Sequence, residues 1–231
     1  MSDQNPVPAG YSFWFVVVVA LFVTALVTAN ITAVKLIGLF GLVIDAGTII
    51  FPISYIFNDV LTEVYGYRRA RQVIWLGFFC NLLAVGAILL GGALPAAEFW
   101  ESQQAYDTIL GYAPRLLFAS FCAYLVGEFA NSYVLARMKL LTRGRWLWSR
   151  TIGSTVVGQG FDSAIFVVLA FAGTVPTGAL VGIIVVQWLF KSAYETAATP
   201  LTYLIINSLK RQENLDVYDY DTSFNPFLVS R

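Results

Sequence analysis

Six stretches of this 231-residue chain are long and apolar enough to cross a lipid bilayer, and no other feature constrains its fold as strongly. A helix needs about 20 largely apolar residues to traverse the hydrocarbon core. The stretches cover residues 13–35, 42–64, 73–94, 116–138, 151–173 and 178–209. The last, at 32 residues, is long enough to tilt or bend, and Pro200 is the expected place for a bend. The expected fold is therefore all-α: a polytopic membrane protein with six transmembrane helices.

Composition agrees. Apolar residues make up 58% of the chain and charged residues 12%, where a soluble domain carries about 25% charged residues. Fourteen Lys and Arg balance fourteen Asp and Glu, so bulk positive charge for nucleic acid is lacking. The chain has no histidine, which removes the commonest metal ligand and the usual general base. With no phosphate-cradling loop and no metal-ligand spacing, the sequence predicts a non-enzyme without a cofactor and without its own ATPase. Cys80 and Cys122 lie inside apolar runs and read as packing residues. Residues 1–11 lack the basic start of a cleaved signal, so the first apolar run is expected to be a retained span.

Placement of the bases gives the orientation. Arg68, Arg69 and Arg71 follow span two; Arg137, Lys139, Arg143, Arg145 and Arg150 surround the connection between spans four and five; Lys210 and Arg211 follow span six. The connection between spans three and four instead carries Glu98, Glu101 and Asp107. The positive-inside rule then puts both termini in the cytoplasm: residues 1–11, one six-helix domain over 12–209, and a tail over 210–231, of which residues 212–231 are expected to be poorly ordered. Trp146 and Trp148 suit an interfacial anchor. Residues 98–112 read as either an amphipathic outer helix or a solvated loop.

Ionisable residues at bilayer depth cost about 2.5–3.5 kcal/mol each on insertion scales, so each asks for a partner or a function. Asp162 is the twelfth of the 23 residues in span five, with Gln159 one turn earlier. Gln187, Lys191 and Glu195 form a stripe on span six. Span two carries Asn58, Asp59 and Glu63; span four carries Glu128 and Asn131. Structural roles are the competing readings: an ion pair of Lys191 with Glu195, and for Asp59 and Glu63 an interfacial pair beside Arg68, Arg69 and Arg71. Stripes on four spans cannot all face lipid, however, and together they imply a shared polar cavity. Phe51, Tyr55, Phe57, Trp188, Phe190 and Tyr194 flank it. Scattered aromatics usually serve packing, but here they also suit a flat heteroaromatic ligand, stacked on ring faces while carboxylates and amides read its edge.

The run from Phe51 to Arg71, FPISYIFNDVLTEVYGYRRAR, resembles the signature of the queuosine precursor transporter family, earlier described as vitamin-uptake transporters. Thr28 to Lys35, the segment Gly158-Gln159-Gly160-Phe161-Asp162-Ser163, and Lys191, Tyr194, Glu195 and Pro200 are similar to the same family, so the likeness covers residues 24–206. The resemblance implies a six-helix importer of the bacterial inner membrane for the 7-deazaguanine bases preQ0 and preQ1, salvaged for tRNA modification. It also implies a likeness to substrate-binding subunits of energy-coupling-factor vitamin transporters, which is the alternative reading. Substrate contacts are expected among Asn58, Asp59, Glu63, Glu128, Asn131, Gln159, Asp162, Gln187, Lys191, Tyr194 and Glu195. Asp162 is the first choice, with Lys191 neutralising it or Glu195. The expected partners are the base and membrane lipid, with no nucleic acid. Gly91 and Gly92 permit a homodimer without specifying one.

Overall fold

In a computed structural model, residues 11–33, 35–39, 42–111, 114–173 and 175–228 are described. The chain runs α1 (Phe13–Thr32), a hairpin of β1 (Leu36–Leu39) and β2 (Leu42–Asp45), α2 (Gly47–Val60), a π-helical turn (Leu61–Tyr65), α3 (Tyr67–Ala93), α4 (Gln103–Leu110), α5 (Pro114–Leu141), α6 (Leu147–Phe171) and α7 (Thr177–Glu213). Helices α1, α3, α5, α6 and α7 are long and apolar enough to cross a membrane. The remaining span is composite. At 14 residues α2 measures about 21 Å, and it reaches spanning length only by continuing into the π-turn.

Two boundaries differ from expectation at this span. Residues 42–45 belong to the antiparallel hairpin, which pairs Leu36 with Asp45 through Leu39 with Leu42, so the helix starts at Gly47. A short apolar run rich in branched residues and broken by glycine suits either strand or helix, and periodicity alone does not separate them. At the other end, Gly66 closes the π-turn with φ +86°. A Cβ there would come within 2.7 Å of Val217, so this position needs glycine for both its backbone and its neighbour.

Packing organises the helices into a bundle whose apolar core lies toward one end. Phe15, Phe22 and Leu26 of α1 meet Val60, Leu61 and Val64 of the composite span, and Ile74 of α3 and Ile206 of α7 close the cluster. The pair α5 and α6 packs most extensively. A Cβ on Gly158 would lie 3.0 Å from the Gly127 carbonyl oxygen and 2.8 Å from Asn131 Cβ, so these glycines set the helix spacing. Helix α7 continues through Pro200 to Glu213, and the proline does not interrupt it.

The ends of the bundle are sorted by charge. Lys139, Arg150 and Lys210 all reach Glu63, and Arg69 lies over the ring of Tyr11, which gathers the basic clusters at one end. Trp146 and Trp148 are exposed at that end. At the opposite end Arg115 ties α5 to the Leu169 and Ala172 carbonyls of α6. There α4 is helical over only part of residues 98–112. It is held by Tyr106, whose hydroxyl donates to the Ile88 carbonyl at 2.8 Å.

Residues 214–228 correct the expectation of a poorly ordered tail. They form a strap across the start of α3. Tyr67 N donates to both carboxylate oxygens of Asp219, at 3.1 and 3.0 Å, so the strap supplies the cap that the helix start lacks locally. Arg71 donates to the Ser223 and Asn225 carbonyls at 2.9 and 2.7 Å, Trp75 to that of Pro226 at 2.8 Å, and Val217 N to that of Val64 at 3.3 Å. A polar, acidic composition reads as disorder only while no basic partner surface is in view. The expected N-terminal segment, apart from Tyr11, lies outside the described residues.

Candidate functional site

Four helices bring their polar residues together in one buried layer. From α2 come Tyr55, Asn58 and Asp59; from α5 Glu128, Asn131 and Ser132; from α6 Thr155, Gln159, Asp162 and Ser163; from α7 Lys191, Ser192 and Glu195. All thirteen are buried. The layer arises because each helix places these residues one turn apart on one face, and that face turns inward in each case.

Within the layer most acids meet neutral donors. Asn58 Nδ2 donates to Glu128 Oε2 at 2.6 Å and to Ser132 Oγ at 2.8 Å. Asn131 Nδ2 donates to Asp59 Oδ1 at 2.7 Å. Thr155 Oγ1 donates to Glu195 Oε2 at 2.8 Å, and Gln159 Nε2 donates to Glu195 Oε1. Only Asp162 has a cation, Lys191, at 2.6 Å. The same ammonium sits 5.0 Å from the centroid of the Phe51 ring, which in turn leans on Tyr55 at 5.6 Å. Of the two partners expected for Lys191, Asp162 is the one it takes here.

Several buried polar atoms in the layer have no hydrogen-bond partner: Tyr55 Oη, the amide oxygens of Asn58, Asn131 and Gln159, Glu128 Oε1, and the hydroxyls of Ser163 and Ser192. Native interiors rarely leave such atoms unsatisfied, because each costs about 1–3 kcal/mol. Their concentration in one layer marks it as the candidate site. Among the described residues no group of His, Cys, Asp and Glu could hold a metal ion.

Not every expected residue joins. Glu63 is held apart in a cluster of its own. Its Oε1 takes Arg150 and Lys210 at 2.7 Å each and Lys139 at 3.5 Å, and Asp216 balances the lysines at 2.6 and 2.9 Å. The structural pairing with basic residues weighed for these two acids holds for Glu63, with Lys139, Arg150 and Lys210 in place of the arginines that follow span two, while Asp59 joins the layer through Asn131. On α7 Lys191 and Glu195 enter the layer, while Gln187 and Tyr194 remain only half-buried. Ser132, Thr155, Ser163 and Ser192 escaped the sequence reading. Their one signal was a small hydroxyl beside, or one turn from, a charged or amide residue. A cavity of 590 Å³ opens elsewhere, between Ile31, Thr32, Lys35 and Ala46 and, from α4, Thr108 and Ile109.

A sequence profile described as "Putative vitamin uptake transporter" matches residues 45–205, which includes the whole layer. A protein of Bacillus subtilis (strain 168) named "Probable queuosine precursor transporter" is 35% identical over 182 residues, covering 78% of this chain and 79% of that protein. The chain belongs to the queuosine precursor transporter family. Two further members are more distant. A "Probable queuosine precursor transporter" of Haemophilus influenzae is 26% identical over 63% of this chain and 59% of its own length. The "Queuosine precursor transporter" of Escherichia coli (strain K12) is 24% identical over 69% of this chain and 68% of its own. No solved structure matches the chain. Family members carry transporter names, in keeping with a multi-pass membrane protein that is not an enzyme.

Proposed function

We propose that this chain imports queuosine precursors, the 7-deazaguanine bases preQ0 and preQ1, across the bacterial inner membrane with both termini in the cytoplasm. The names of its relatives support the cargo class. One observation in the molecule itself carries the reading: three buried amide oxygens, of Asn58, Asn131 and Gln159, face the layer without a donor. A guanine-like ring brings N–H donors at N1, at the exocyclic amine and on the five-membered ring. Carbon at position 7 removes an acceptor that guanine would have. A site rich in unsatisfied acceptors fits such a donor-rich base.

In this reading Asp162 accepts the N1–H and exocyclic N–H as a bidentate, charge-assisted pair, the strong kind in a dry site. Lys191 gives up Asp162 and turns toward Glu195, one turn further along α7. Asn131 or Gln159 reads the remaining edge, and the ring stacks near Phe51 and Tyr55. The ammonium of preQ1 would find a carboxylate that neutral preQ0 does not use, so preQ1 is expected to bind more tightly. Gathering of the basic clusters at one end supports the orientation, since that end is retained in the cytoplasm.

Thermal shift of the purified protein with preQ0, preQ1 and guanine tests the cargo and the site together. Both precursors should raise the melting temperature. Asp162→Asn should weaken binding by about 1.5–3 kcal/mol, on the order of 10- to 200-fold. Normal binding by that variant would overturn the role of Asp162; no shift with any precursor would overturn the cargo.

A further inference from the structure

The charges of the layer do not balance. Asp59, Glu128, Asp162 and Glu195 are four buried acids, and Lys191, the cation among them, is taken up by Asp162. The other three acids have only amide and hydroxyl donors. Three carboxylates without counter-charge in a dry layer repel one another and lose their hydration, and such groups are neutral when protonated. A metal ion could also neutralise them, but among the described residues the acids are not grouped closely enough to hold one.

We infer that this layer carries a second cargo, a proton held on Glu128 and moved inward with each base. The inference rests on the import reading above. Glu128 is fully buried and lies within electrostatic reach of Glu195, Asp59 and Asp162. Its Oε2 accepts from Asn58, while its Oε1 has no partner and is the free position for a hydrogen. Glu195, by contrast, has both oxygens engaged. An independent feature points into the same space. Tyr55 is fully buried, its hydroxyl has no partner, and a Cβ on Gly127, the residue before Glu128, would fall 2.4 Å from it.

The groups that face Glu128 are Tyr55 and Asp59 from α2, Asp162 from α6, Glu195 from α7, and Tyr124 one turn earlier on α5, while Lys191 of α7 is bonded to Asp162. From α3, Cys80 lies within electrostatic reach of Tyr124. Glu63, whose Oε1 is bound by Lys139, Arg150 and Lys210, lies within electrostatic reach of Asp59 in the layer. When the layer opens outward, Glu128 takes a proton from water; when it opens inward with the base, it returns that proton to water on the other side. No bond other than the O–H is made or broken.

The test uses the full chain in proteoliposomes with a trapped pH dye and radiolabelled preQ0, which is neutral and brings no charge across with it. The expected result is preQ0 accumulation driven by an inward proton gradient, acidification of the interior as the base enters, and loss of accumulation on adding a protonophore. Wild-type binding should weaken by about tenfold per pH unit above the titration of the site, as linkage to one proton requires. Glu128→Gln should lower the ratio of protons to base moved, while Glu98→Gln, at an exposed acid outside the layer, keeps it. Entry of preQ0 without acidification, or dependence on a sodium gradient, overturns the proton while leaving the import reading intact. Failure of preQ0 to enter or bind at all overturns the import reading itself. The wild-type flux decides the matter even if Glu128→Gln does not fold.

Discussion

Glu63 and Asp162 are both buried carboxylates paired with cations, yet their surroundings assign them different work. Three cations converge on one oxygen of Glu63, and they come from α5, α6 and α7. Asp162 has one flexible ammonium as its partner, and unsatisfied oxygens close by. A carboxylate locked by an arginine and two lysines is a poor ligand site and a good cross-link; one held by a single lysine is readily exchanged. Removing one member of a buried charged group leaves the others uncompensated, typically costing about 3–5 kcal/mol. Glu63→Gln should therefore lower the unfolding midpoint sharply in a denaturation series, while the folded fraction keeps its precursor-induced thermal shift. Loss of that shift without loss of stability would return Glu63 to the binding site.

At the scale of elements, the π-turn and the strap were the hardest to read from sequence. Leu61–Tyr65 continues a helical pattern, and the extra residue that widens the turn leaves no mark in composition. The strap needed its receptor: Asp219 caps α3 from 152 residues away, a contact that no local pattern encodes. The six spans were legible because bilayer thickness imposes a length, and the inward faces were legible because charge in lipid is costly. Which face neighbour each charge selects depends on helix rotation by tens of degrees. That is why Lys191 chose Asp162 and not Glu195, one turn away on its own helix.

The strap also has a pH dependence of definite sign. Burial alone would raise the Asp216 carboxyl, but Lys139 and Lys210 outweigh it and hold the group below its ordinary value. Its contribution to docking is complete above the ordinary carboxylate range and is lost as pH falls through the depressed value. Asp219 is shifted the other way, upward by burial, so its contribution runs with the opposite sign. Hydrogen-exchange protection factors over residues 215–228, corrected for the intrinsic pH dependence of amide exchange, should hold from neutral pH down to about 4, near the unperturbed Asp value, and fall below it. Protection that fell between pH 7 and 6 would contradict this assignment.

For the whole molecule, sorting of charge by bundle end makes the orientation measurable. Residues 101 and 145 are both exposed, at opposite ends. In intact cells a membrane-impermeant maleimide should label Glu101→Cys and spare Arg145→Cys; the reverse pattern would invert the topology. Native Cys80 and Cys122 are partly buried and serve as the background. On the import reading, the close α5–α6 packing at Gly127 and Gly158 is expected to persist while the layer opens.

The Glu63 cluster has a consequence for biogenesis. Helix α2 is synthesised early, but Lys139, Arg150 and Lys210 follow Glu63 by 76, 87 and 147 residues. A nascent chain thus carries an acid into the membrane boundary long before the ribosome has made its partners. Until α5 and α6 bring Lys139 and Arg150, that acid has none of its three cations, and Lys210 follows only with α7. Assembly of this bundle is completed by its latest helix, and an interrupted chain would display an unpaired carboxylate for quality-control proteases to find.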